Sequence, residues 1–432
     1  MSEIVQKLGA EAVLERDAAL QQLLDLTRDP QERDWTTIIG NDGIPSISRC
    51  AFKAPGAPRA TRCQAMKCLH NILRLSAPTR QLLVNEDLTG TLIKLMESTD
   101  LEIASIAMRL LLLSSIDTDL DLAPYFESHH LAGVINNNII RCDSTSQLSI
   151  EPVLTLLSTL GANPKYQSWT SQFLDVLPHI LELLERAPSS APLSPLTALL
   201  ISSLRSIPFT DELPNSILDK LIDILENSLP MDTNKREEDI ETTISPLMGL
   251  LLQVAGGTET KLRLCVRLIA SDHERMVPLG RGDSLPHRLI RLSADFHLPT
   301  LHQLVTFLLF KLSEEDPQKL LANVGYGYGT GMLELLGIPF AHDDDVNMSD
   351  MSIPNVNPIT GQRLDVEAVN SQENEREMTQ EEKEREAEKL FVLFERLKAT
   401  RVVDIENPVA QSMKMGHVEE IEDSSDDDTK QG

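Results

Sequence analysis

Residues 65–76 read AMKCLHNILRLS, and residues 107–117 read AMRLLLLSSID. The two stretches are offset by 42 residues. In each, apolar residues recur three and four apart, which places them on one face of a helix. Further apolar helices follow at Pro152 (PVLTLLSTLGANP), Thr197 (TALLISSLRSIP), Pro246 (PLMGLLLQVAGG) and Leu304 (LVTFLLFKLSEEDP). Each is followed by a short break and another leucine-rich helix. A period of roughly 40–47 residues is that of armadillo and HEAT arrays. A single helix pair has too little area to bury its own apolar face, so neighbours must stack. The expected fold is all-α: a right-handed superhelical solenoid of armadillo/HEAT type over residues 1–337. Its concave face would take an extended or helical partner.

The periodicity predicts helices over 11–28, 61–75, 102–116, 148–160, 172–186, 215–227, 242–255, 260–270 and 297–312. Breakers such as APGAP at 54–58, PSSAPLSP at 188–195 and GG at 256–257 separate them. Aromatic residues are only 4% of the 432, and leucine supplies most of the apolar mass, which suits helical packing. The net charge of −27, with no Lys/Arg run, argues against nucleic acid as the partner. Five cysteines without a CxxC pair predict reduced core thiols in a cytoplasmic protein. No metal site, signal core or membrane span is expected.

After residue 340 the composition shifts. Residues 341–432 hold 10 Lys/Arg against 24 Asp/Glu, about half of the chain's net charge. The expected divisions are an acidic linker at 338–377, an amphipathic helix at 378–400 and an acidic tail at 401–432. The helix opens on a capping box, Thr379 and Glu382. Ala387, Leu390, Phe391, Phe394 and Leu397 form its apolar stripe, which must dock on the solenoid or a partner. Ser424 and Ser425 each precede an Asp by three residues and are candidate phosphorylation sites.

VGYGYGTG at 324–331 invites a reading as a phosphate cradle. It fails the G-x-G-x-x-G count from Gly325 (Thr330 in third place) and from Gly327 (Met332), and no lysine follows as a P-loop needs. It predicts instead a helix stop after Val324, a turn at positive φ, and the start of the helix MLELLG. No direct nucleotide binding, no cofactor and no enzyme site is expected. His129-His130 predicts a surface loop.

Basic residues on the early repeats form the candidate binding site. Arg62, Lys67, Asn71 and Arg74 share a helix face. Lys67 and Arg109 fall at equivalent positions one repeat apart, so they would stack along the groove. A cationic stripe in an acidic protein suits a carboxylate or an acidic helix terminus; a merely solvated helix face is the plainer alternative.

Three stretches carry a family resemblance: AMKCLHNILRLSAPTRQLL at 65–83, the segment from SLPHRLIRL to GMLELLG at 284–337, and NVNPITGQ (355–362) with EMTQEEKEREAEKLFVLFERL (377–397). With these the chain resembles the synembryn proteins, chaperones and guanine-nucleotide exchange factors for heterotrimeric G-protein α subunits. The resemblance implies an armadillo/HEAT superhelix whose concave face receives the C-terminal helix of Gα in its GDP-bound, nucleotide-free or nascent state and releases it when GTP binds. It makes Arg62, Lys67, Asn71, Arg74 and Arg109 candidate contacts for that helix, and Leu390, Phe391, Phe394 and Leu397 candidates for a second contact. It implies a monomer in the cytoplasm that reaches the inner face of the plasma membrane only through its client. The competing reading is an armadillo-type adaptor that holds a peptide in its groove without exchange activity.

Overall fold

The computed structural model describes residues 8, 13–28, 35–53, 57–144, 148–188, 193–208, 213–229, 240–339 and 355–368. The chain divides into two compact units, Met1–Arg363 and Leu364–Gly432. The predicted helix 379–399, with Leu390, Phe391, Phe394 and Leu397, lies outside the described residues, as do Ser424 and Ser425.

The first unit is helical, and no strand longer than a single bridge occurs among its described residues. In chain order the helices are α1 (Val13–Arg28), α2 (Trp35–Ser48, continued by a π turn at Arg49–Lys53), α3 (Arg59–Leu75), α4 (Ala77–Val84), α5 (Thr89–Met96) and α6 (Leu101–Ser114). Then come α7 (Ala123–Ser128), α8 (Leu131–Ser144), α9 (Glu151–Ala162), a 3-10 helix (Pro164–Val176), α10 (Leu177–Arg186), α11 (Pro195–Arg205) and α12 (Asn215–Ser228). The unit ends with α13 (Ile240–Val254), α14 (Thr258–Leu268), α15 (Leu285–Leu292), α16 (Pro299–Leu312), α17 (Pro317–Val324) and α18 (Tyr326–Leu335).

Two rows organise these helices. In one, α1, α3, α6, α9, α11, α13 and α16 pack each on the next. In the other, α5, α8, the 3-10 helix, α10, α12 and α14 follow one another along the back. The first row is the repeat seen in the sequence, and its register can be read from burial. Ala65, Met66, Cys68, Leu69 and Ile72 are fully buried on α3. The same spacing recurs as Ala107, Met108, Leu110, Leu111 and Ser114 on α6, and as Val153, Leu154, Leu156, Leu157 and Leu160 on α9. It recurs again from Leu200 on α11, Leu247 on α13 and Val305 on α16. Two side-by-side apolar pairs and a third point per helix let each member pack against the helix before it, the helix after it and the back row.

Polar groups fasten one repeat to the next. The Ser203 hydroxyl, fully buried on α11, donates to the Leu154 carbonyl of α9 at 3.1 Å. A Cβ added at Gly161 would stand 2.1 Å from the Ser206 Cβ, so α9 and α11 meet there through a glycine. On the back row Arg263 grips Asp219 at 2.8 Å, and Arg267 reaches Asp223 and Glu226. Helix starts follow their sequence signals: Asp316 accepts from the Gln318 and Lys319 amides ahead of Pro317 at the first position of α17.

Candidate protein-binding groove

The register leaves three further positions per helix on the inner side of the first row, all of them at least partly exposed except Gly249. The position of Lys67 is filled in turn by Arg109, Thr155, Ser202, Gly249 and Phe307. That of His70 is filled by Leu112, Ser158, Arg205, Leu252 and Phe310, and that of Asn71 by Leu113, Thr159, Ser206, Gln253 and Lys311. None of these is Asp or Glu, in a chain that has 66 of them. The face is cationic at α3 and α6, hydroxyl-rich at α9 and α11, and carries Phe307 and Phe310 at α16 beside Lys311, whose ammonium donates to the Leu252 carbonyl at 3.2 Å. A cleft of about 560 Å³ opens in its middle, lined from α9, the 3-10 helix, α11 and α13.

The five predicted groove residues have different surroundings. Lys67 pairs with Glu102 at 2.6 Å, and Glu102 also takes Arg59 at 2.9 Å. Arg62 donates its Nε proton to the Ala51 carbonyl at 3.3 Å, so its guanidinium is turned toward the π turn. Asn71 donates to the Thr27 hydroxyl of α1 at 3.0 Å. Arg74 is exposed and Arg109 half-buried, and neither has an ion-pair or hydrogen-bond partner among the described residues. Both bear on His70: burial holds its imidazole below the usual range, Asn71 opposes this, and the charges of Arg109 and Arg74 reinforce it. The free positive charge of this end is therefore that of Arg74 and Arg109 around a neutral His70, with Lys67 compensated.

Two residues on this face escaped the sequence reading. His70 sits one turn before Arg74. Arg205, on α11, lines the central cleft with Ser158, Thr159, Ser202, Ser206 and others. Repeat register is the signal that finds both, because they occupy one and the same position of the repeat.

The glycine run is part of a different contact. Gly325 has φ +80° and ψ 151°, and α18 begins directly at Tyr326, so YGYGTG is itself helical and the turn shrinks to one residue. The reason is a returning segment, 355–363. The Pro358 carbonyl accepts from the Tyr326 amide at 2.9 Å, and the Ile359 carbonyl from the Gly327 amide at 3.4 Å. The protein's own carbonyls thus occupy the first-turn N–H groups that a phosphate would need. Arg275, buried, donates to the Gly361 and Ala322 carbonyls and ties the segment to α17. His287 fixes the loop beneath: its Nδ1 accepts from the Gly280 amide, and its Nε2 lies 2.9 Å from the Glu274 carbonyl, to which it donates.

Among the described residues no group of His, Cys, Asp and Glu could hold a metal ion, and no helix is long and apolar enough to cross a membrane. The cysteines are unpaired, four of them buried, and burial pushes the Cys68 thiol up to about 12.

The stacked rows and the continuous inner face define an armadillo/HEAT-type α-solenoid. The family model of the guanine nucleotide exchange factor synembryn matches residues 19–417, and the chain belongs to that family. It is similar to a synembryn-like chaperone of Schizosaccharomyces pombe, 27% identical over 199 residues (42% of this chain, 36% of the relative). It is also similar to the chaperone Ric-8A of Gallus gallus, 27% identical over 194 residues (42% of this chain, 34% of the relative). The matches span about a third of the length of these relatives. Among solved structures, a designed armadillo repeat protein aligns with a TM-score of 0.40 at 14% identity, covering 58% of this chain and 98% of its own.

Proposed function

We propose that this protein is a chaperone and guanine-nucleotide exchange factor for G-protein α subunits, gripping the C-terminal helix of the subunit in the groove. The observation that carries the reading is three groove-side repeat positions that hold no carboxylate from α3 to α16 in a strongly acidic chain, with Arg74 and Arg109 uncompensated at one end. Family membership supplies the client. Arg74 and Arg109 are the primary contacts, His70 and Asn71 offer neutral polar contacts beside them, and Arg62 and Lys67 must first give up their own partners. The apolar stripe of Leu390, Phe391, Phe394 and Leu397 is the second contact.

Exchange on this reading needs no catalytic residue. The protein binds the open, nucleotide-free subunit better than the closed GDP-bound one, and a ligand shifts populations only by that difference. Linkage is reciprocal, so GDP and GTP weaken the complex by the factor by which the complex weakens them; a coupling of about 3 kcal/mol is roughly 150-fold. Holding a nascent subunit before it has nucleotide is the same preference expressed during folding.

GDP release from a purified Gα subunit, with and without the protein, tests this. Concentration-dependent acceleration with dissociation on adding a GTP analogue is expected. A stable complex without acceleration would reduce the function to chaperoning. Absence of both would leave an adaptor for some other segment.

A further inference from the structure

We propose that Arg205 and the hydroxyl-walled cleft around it form a second anchoring point in the groove, one that takes a carboxylate side chain of the bound segment. This deepens the groove reading above and rests on it.

Arg205 is exposed on α11 and has no partner among the described residues. Its guanidinium is nevertheless seated. A Cβ added at Gly249 of α13 would stand 2.9 Å from both Nε and Cζ, so the guanidinium occupies the space that the missing side chain leaves on the next repeat. A pre-positioned guanidinium presents paired N–H donors in the geometry that a carboxylate accepts. Around it the hydroxyls of Ser158, Thr159, Ser202 and Ser206 are turned back onto carbonyls of their own helices, at 2.8–2.9 Å. The carbonyls that accept from Ser158, Thr159 and Ser202 lie within helices, where the i→i−4 amide already serves them, so these three hydroxyls can rotate onto a stronger acceptor without stranding their former partners. One cation with neutral donors matches a single negative charge; a dianionic phosphate would want more than one cation.

The position also fixes a spacing. Arg109 is on α6 and Arg205 on α11, two steps along a row of helices packed about 8–10 Å apart. At about 1.5 Å per residue, a helix lying along the groove covers that distance in about 11–13 residues. The acid that meets Arg205 is therefore about three turns from the group that meets Arg109.

The test uses the full chain, a purified GDP-loaded Gα subunit, and a labelled peptide of that subunit's C-terminal helix, together with peptides in which each Asp or Glu is changed singly to Asn or Gln. Arg205→Gln should weaken peptide binding about tenfold or more, the scale of a charge-assisted hydrogen-bonded pair. That loss should vanish against one neutralised peptide alone, the acid at the stated spacing. Gly249→Ala keeps the charge but unseats it, and should weaken the same peptide and not the neutralised one. Unchanged affinity in Arg205→Gln, or a loss equal against every peptide, overturns the anchoring role while leaving the groove reading intact. A wild-type protein that binds neither subunit nor peptide overturns the groove reading and this one with it.

Discussion

Arg74 and Arg109 differ from Lys67 in what their charge already does. The Lys67–Glu102 pair is partly exposed, and Arg59 still holds Glu102 when the lysine is gone. Lys67→Ala should therefore change stability by less than about 1 kcal/mol and leave Gα affinity near wild type by titration. Arg74→Glu with Arg109→Glu should cut affinity about tenfold or more, since reversed charges at a desolvated contact add repulsion to the lost attraction. The circular dichroism melting curve should not move, because neither arginine has a partner to lose. A second residue-scale effect is set by pH. Burial lowers His287 below its ordinary 6.5, and His70 likewise. The unfolded chain therefore takes up these protons first as pH falls. Their contribution to stability is complete above about pH 6.5 and is lost as pH drops toward the depressed folded values. The melting temperature should fall between pH 7.5 and 5, and His287→Gln should flatten part of that slope, because an amide can both accept and donate where the imidazole does. Why Arg205 was not legible is itself a residue-scale matter: α11 reads LLISSLR, and Ser203, a polar letter at a fully buried position, hides the register that would have aligned Arg205 with His70.

The helices of the first row were legible because leucine periodicity survives without aromatic or β-branched help, whereas α2 (Trp35–Ser48) and α8 (Leu131–Ser144) were not among the predicted ranges. Predicted 61–75 is Arg59–Leu75, predicted 242–255 is Ile240–Val254, and predicted 297–312 is Pro299–Leu312. The miss within predicted 172–186 has a cause. Pro164 begins a long 3-10 stretch that carries Tyr166, Phe173 and Val176 inward, and Pro178 lies at the start of the true helix, α10. Period three and period 3.6 cannot be told apart over so short a run. At this scale stability is additive in recognisable parts. Asp316→Ala removes the acceptor for two amides of α17 and should cost about 1 kcal/mol, read as a shift of the urea midpoint with unchanged slope. Leu156→Ala, in the fully buried register of α9, should cost about 2–5 kcal/mol through the cavity it leaves.

At the scale of the whole molecule, the repeat fixed which face would be shared by all helices, but the docking of 355–363 was not legible: NVNPITGQ carries a family resemblance and falls within the expected linker 338–377, whereas 358–361 bond back to the solenoid. The segment's contacts reach 86 residues back in sequence, from Gly361 to Arg275, and no local pattern marks such a pairing. A stack of helices has a free last member, and in a nearest-neighbour array that member opens first, then the next. Here the last member among the described residues is latched. The Tyr326 and Gly327 amides, the Leu279 amide and the Arg275 side chain all bond to 358–361. Opening α17 or α18 alone would break bonds to a piece of chain that belongs to neither, so the three should exchange hydrogen as one cooperative unit instead of fraying in order. Gly325→Ala forces a side chain into φ +80° with ψ 151°, 3.1 Å from the Ile359 carbonyl, at a cost of about 1–3 kcal/mol. Amides of 317–335 should then exchange fastest of the whole solenoid, while those of α9 and α11 keep their wild-type protection. Gly325 and Gly327, the first two of four glycines that look like a nucleotide signature, are on this account the hasp of a latch.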